Sequence, residues 1–245
     1  MIFFLKWCLV TSFIFPFARA AETKEKSGLQ SWFVSEREGK PAAKIFETVE
    51  FNAKEKSSIL KQTWSNFGRT STVSLEAISI DVEKMSPSWM ESHFKSADGK
   101  EEFKYRIALK RNGKFKDLKI SFERVKPKPS VNSKIVPKPP NSIFFSFLPQ
   151  YLAKLEPGLY TVTAIMEDVE EATLSTRALR IQKLSDQKSF MNEKCSKAIV
   201  ELGGFDGNYW VSDEGRLCEF TVAMPSLRTH RVSETDYKAT SSGKP

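Results

Sequence analysis

The sequence predicts an all-β fold: an antiparallel β-sandwich over residues 29–184, with short helices in its connections and a small disulfide-stapled C-terminal extension. Three observations carry that expectation. Runs rich in β-branched and aromatic residues alternate with Gly, Pro, Asn and Asp turns. An Asn-Gly pair stands between two alternating segments. The Cys residues leave a pair once an N-terminal leader is removed. Composition agrees: of 245 residues, 40% are apolar and 28% charged, too apolar for a disordered chain.

The leader is MIFFLKWCLVTSFIFPFARA, residues 1–20. Lys6 supplies a positive start, Trp7–Phe17 an apolar run, and Ala18 and Ala20 an A-x-A cleavage site. That is the pattern of a secretory signal peptide. Arg19 interrupts the run before it reaches the ~20 apolar residues that a membrane-spanning helix needs. Cleavage after Ala20 leaves 225 of the 245 residues and takes Cys8 away. The expected destination is secreted or periplasmic, where Cys195 and Cys218 are expected to form one disulfide.

Residues 21–28 are polar and read as a flexible N-terminus. Strands are expected at Leu29–Ser35 and Ala43–Phe51, across a turn at Glu38-Gly39-Lys40-Pro41. In Thr72–Val82 the apolar parity switches near Ala77, which predicts a bulge. Two segments have helical spacing. Ile59, Leu60, Thr63, Trp64 and Phe67 line one side of 57–67; Trp89, Met90, His93 and Phe94 line one side of 86–95. Around Asn112-Gly113 a two-residue turn places Ile107 opposite Leu118, Tyr105 opposite Ile120 and Phe103 opposite Phe122. The other face of that hairpin carries Lys104, Arg106, Lys110 and Lys119.

Residues 125–141 hold five Pro and four Lys and read as an extended connector. A split there into two smaller β domains is the alternative organisation. Strands resume at Ser142–Leu148, and Leu155-Glu156-Pro157-Gly158-Leu159-Tyr160 leads into an alternating run. That Leu-x-Pro-Gly-x-Tyr start resembles the tyrosine corner of immunoglobulin-like domains, and the resemblance implies an immunoglobulin-like sandwich without implying a function. The expected extension, 185–224, opens with a short amphipathic helix on Phe190, Met191, Lys194, Cys195, Ala198, Ile199 and Leu202, stopped by Gly203-Gly204. A hairpin follows across Asp213-Glu214-Gly215, and 225–245 read as a disordered tail.

The positive charge is concentrated. Residues 104–138 hold twelve basic and two acidic side chains, net +10, whereas 21–103 and 139–245 are each net −2. In the register above Arg106 opposes Lys119, a repulsive pair that asks for an anion nearby. The functional expectation is an exported, non-enzymatic binding or structural protein, envelope-associated, that meets an anionic polymer or an acidic protein through Lys104, Arg106, Lys110 and Lys119. Export argues against nucleic acid. No cofactor or metal is expected: two His and three Cys leave little for a zinc site or a Ser-His-Asp centre. Glu167, Asp168, Glu170 and Glu171, like the acids of Asp206-Gly207-Asn208 and Asp213-Glu214-Gly215, read as turns rather than Ca²⁺ loops. The competing class is an exported hydrolase using two carboxylates that meet only in space. Tyr209 and Trp210 have opposite parities, so one ring is expected to face outward.

Overall fold

The computed structural model describes residues 29–52, 57–66, 71–81, 86–96, 100, 102–112, 115–138, 141–168, 173–203, 205–223 and 226–240. The leader and residues 21–28 lie outside them.

The alternating segments form β1 (Leu29–Arg37), β2 (Lys40–Asn52), β3 (Ser57–Asn66), β4 (Ser71–Asp81), β5 (Ser86–Ser96), β6 (Glu102–Asn112), β7 (Phe115–Lys126) and β8 (Ser130–Pro137). A short β9 (Ser142–Phe144) runs into a 3-10 turn at Phe145–Phe147 and α1 (Leu148–Ala153). Then come β10 (Gly158–Asp168), β11 (Thr173–Phe190), β12 (Glu193–Leu202), β13 (Phe205–Ser212), β14 (Leu217–Val222), β15 (Leu227–Val232) and α2 (Glu234–Ala239).

The chain is mostly β, as the alternation predicts, but these strands do not separate into two sheets. All fifteen join one sheet in the order β8-β7-β6-β5-β4-β3-β2-β1-β15-β14-β13-β12-β11-β10-β9. Each half is a meander of sequential neighbours, and the pairing of β1 with β15 splices the halves together. Leu60, Ile107, Leu118 and Ile120 from the first half share one buried cluster with Phe144, Phe147, Leu152, Val162, Leu179 and Val200 from the second. β9 also lies against β5. The sheet therefore curls round a common interior, and the segment from β9 to α1 fills it.

Several local expectations are met. Glu38 (φ 53°) and Gly39 (φ 75°) make the first hairpin turn, both left-handed as a two-residue turn of this hand requires. The β4–β5 register shifts between Leu75 and Ala77, where parity switches. Tyr160 Oη donates to the Glu156 carbonyl at 2.9 Å, the bond of a tyrosine corner, here in a different topology. The Cys195–Cys218 disulfide is present and ties β12 to β14. By loop-closure entropy a crosslink of this span stabilises by ~3 kcal/mol.

Other expectations are corrected. Of the segments expected to be helical, 57–66 and 86–95 are strand, in β3 and β5, because apolar residues three and four apart also occur in strands and the neighbours on both sides supply hydrogen bonds; Phe67 lies outside the described residues. The helix expected after Lys188 is a β-hairpin that turns at Met191 and Asn192, both left-handed (φ 48° and 65°). Part of the Pro-rich connector pairs as β8. Residues expected in a disordered tail form β15, inserted between β1 and β14, and α2, whose N-cap Ser233 accepts from the Asp236 amide. Asp206-Gly207-Asn208 is strand, not turn. Gly207 is required there because a Cβ would stand 2.7 Å from the Phe220 ring, which stacks on Tyr209 at 4.4 Å.

β6 and β7 pair as the expected hairpin, with their register displaced by two residues; residues 113 and 114 lie outside the described ones. Asn112 pairs with Phe115, so Ile107 faces Ile120, Tyr105 faces Phe122 and Leu109 faces Leu118. A two-residue shift leaves every side chain on its expected face, so hydrophobic alternation cannot distinguish the registers. Charge can. The observed pairing sets Lys104 opposite Glu123 and Lys110 opposite Asp117, and moves Arg106 from Lys119 to Ser121.

Candidate functional site

The hairpin's two faces are strongly unlike. Ile107, Leu118 and Ile120 are buried in the common interior, while Lys104, Arg106 and Lys119 are exposed on the other side. Lys110 shares their register row, opposite Asp117; its side chain lies outside the described ones. The structure thus brings Lys104, Arg106 and Lys119 onto one outer face. It also removes the Arg106–Lys119 opposition and with it the need for an external anion between them.

Strand β8 extends this face. Cross-strand partners share a face, and Lys119 pairs with Ile135, Ser121 with Ser133, and Glu123 with Val131. Val131 is 71% exposed and Ile135 53%. Two β-branched apolar side chains therefore stand in solvent beside a cationic row. Lys126 and Lys128 are exposed at the approach to β8, with Lys126 3.9 Å from Glu102.

A second candidate lies on the outside of the other half. A groove of about 470 Å³ is bordered by Leu159, Thr161, Arg180, Gln182, Glu201 and Asp206. Glu201 and Asp206 are cross-strand partners, and Arg180 Nη1 sits 3.6 Å from Glu201 Oε2.

Around the disulfide the charges are paired. Glu193 holds Arg216 at 3.1 Å and Arg231 at 3.0 Å. Glu219 is bonded by Lys188 and, at 2.8 Å, by Arg228. Burial pushes the Glu219 carboxyl up, but these two cations outweigh it and hold it below the usual carboxylate range. Lys188 also lies over the Trp210 ring, 4.4 Å from its centroid. Tyr209 is buried on the opposite face, so the outward ring is Trp210, and cations of this chain already occupy it. His230, expected in the tail, is half-buried in β15; burial and Arg228 lower its pKa against Glu36 and Glu219.

Sequence reasoning missed one functional-looking group. Glu47 is buried on the inward face of β2, between Ile45 and Val49, and accepts a 2.7 Å hydrogen bond from Gln62 Nε2. Burial raises its pKa to about 7, partly offset by that bond. A signal existed: a carboxylate at the inward parity of an alternating strand. Its cross-strand partner Ser31 is buried too, and further along β1 and β15 so are Ser35, Thr229 and Arg231, with Thr229 Oγ1 3.0 Å from Ser35 Oγ. The expected carboxylate cluster at 167–171 lies outside the described side chains. Among the described residues, no three His, Cys, Asp or Glu gather into a metal-sized group. No described helix is long and apolar enough to cross a membrane.

No family model matches the chain, and no curated protein matches it. Among solved structures it is similar to a β-barrel-like protein of a domain of unknown function, DUF1849, from Brucella abortus. That likeness covers 84% of this chain and 95% of the other, at 12% identity and a TM-score of 0.42, and it assigns no function.

Proposed function

We propose that this chain is an exported, non-enzymatic binding or structural protein of the cell envelope, secreted or periplasmic, that holds an anionic polymer or an acidic protein against the outer face of β6 and β7. The observation that carries this reading is the joint exposure of Lys104, Arg106 and Lys119 on one face, inside a segment of net charge +10. Such a face draws polyanions by long-range attraction and releases them as salt rises. The leader at residues 1–20 and the Cys195–Cys218 disulfide support export.

The test is charge reversal at Lys104, Arg106 and Lys119 together, read as binding of the secreted protein to polyglutamate. Affinity is expected to fall by about tenfold or more, with thermal unfolding nearly unchanged because exposed substitutions cost little. Unaltered binding overturns the reading.

The competing hydrolase reading draws on the outer groove, with Glu201 and Asp206 as its acids. It is the weaker one, since Arg180 already engages Glu201 at 3.6 Å. Loss of a glycoside-hydrolysing activity in Asp206→Asn is its test.

A further inference from the structure

We propose that β8 is a docking edge to which an extended, acidic segment of a partner polypeptide adds as a further strand; this rests on the basic-face reading and names the partner's class.

The sheet topology supplies the first argument. Among the described residues β8 ends the sheet and pairs on one side only, with β7, from Arg124↔Ser130 to Asp117↔Pro137. A strand exposes half of its backbone donors and acceptors on its free side, and these groups are a template for another chain. Residues 130–136, Ser-Val-Asn-Ser-Lys-Ile-Val, include no proline, so every one of them retains an N–H. Proteins protect such edges with Lys and Pro, and the Lys134 and Pro137 of β8 discourage a like-charged strand more than an acidic one. They also protect them by shortening, bulging or covering them. The opposite edge is protected in that way: β9 has three residues, all buried. β8 has eight, and its described side chains Ser130, Val131, Asn132, Ser133 and Ile135 are all exposed.

Side chains and charge select the occupant. Val131 and Ile135 point to one face with Ser133 between them, so an added strand would cover them with apolar side chains of its own four residues apart, leaving the position opposite Ser133 for a carboxylate. A second copy of this chain is a poor occupant, because two segments of net +10 repel each other. An acidic polypeptide satisfies both demands. Its backbone pairs with the edge, and its carboxylates lie near Lys119 and Lys128. A lipid surface or a polysaccharide offers no row of amides to match the strand.

The probe is a peptide of about twelve residues repeating Val-Ser-Glu-Ser, which sets Val and Glu on one face and is long enough to span the edge. It is titrated into the full exported protein beside two versions N-methylated on one or the other alternate set of residues. In a strand each set points its N–H groups to one side. Methylation of one set is therefore expected to abolish binding and methylation of the other to spare it. Val131→Asp with Ile135→Asp is expected to weaken the unmodified peptide by about tenfold or more while leaving thermal unfolding unchanged. Equal binding of all three peptides overturns strand addition and leaves the basic-face reading standing. So does binding of polyglutamate, or of phosphatidylglycerol vesicles, without binding of the peptide. Self-association lost in the Asp variant overturns it in favour of a second copy. Failure of peptide, polyglutamate and vesicles alike removes both readings.

Discussion

The sheet ends in β8 on one side and in β9 on the other, and the two edges are finished in opposite ways. β9 is three residues long, parallel to β10 and wholly buried, and it leads at once into Phe147, Leu148 and Leu152, none more than 1% exposed. β8 is eight residues long and antiparallel, and it carries exposed apolar and polar side chains beside a cationic face. The difference teaches how a single curled sheet handles its two ends. One edge is drawn into the interior, where it contributes packing in place of exposed backbone. The other stays outside, in the one stretch of sequence where charge is strongly unbalanced. Stability and contact with partners are thus assigned to different edges.

The largest expected effect breaks the comparison at its buried end. Phe147→Ala removes a fully buried ring from the interior and should cost about 3–5 kcal/mol in chemical unfolding. A loss below about 1 kcal/mol would mean that the segment from β9 to α1 does not hold the curled sheet together.

A second measurement probes the interior between the edges. Glu47 ionises at about 7 when folded against 4.5 in the unfolded chain. Below 4.5 it is neutral in both states and costs nothing. Between 4.5 and 7 the unfolded state releases its proton first, so stability falls as pH rises, then levels off above 7. Glu47→Gln should abolish that fall and raise stability at pH 8 by up to about 3 kcal/mol over the native chain. Parallel pH profiles for the two proteins would show that Glu47 is not held away from water.

The smallest expected effect lies at the open edge. Val131→Asp with Ile135→Asp should shift unfolding by no more than about 0.5 kcal/mol, since both side chains stand in solvent. A cost as large as that of Phe147→Ala would erase the distinction between the edges.

Much of this molecule was legible residue by residue. The parity switch at Ala77, the turn at Glu38-Gly39, the pairing of Cys195 with Cys218 and the outward Lys104, Arg106 and Lys119 all follow from local chemistry. Glu47 was legible and overlooked, a carboxylate at an inward position. β3 and β5 were not legible, because their apolar residues satisfy a helix as well as a strand. β15 was not legible either: Leu-Arg-Thr-His-Arg-Val is too polar to announce burial. Thr229 and Arg231 become buried only because Ser35 and Glu193 stand ready to bond them.

Alternation with a period of two tells each residue which side of a sheet it will occupy, and turn residues tell the chain where to reverse. Both are local, and they hold here in β2 and β7, where buried and less buried residues alternate. Which strand lies beside which is a long-range matter, and alternation has nothing to say about it. The hairpin register, off by two yet right in face, was decided by cross-strand charge. The splice of β1 to β15, the single sheet where two were expected, and the contrast between a buried and an open edge were decided by which partners could satisfy backbone and buried polar groups once the chain had closed on itself.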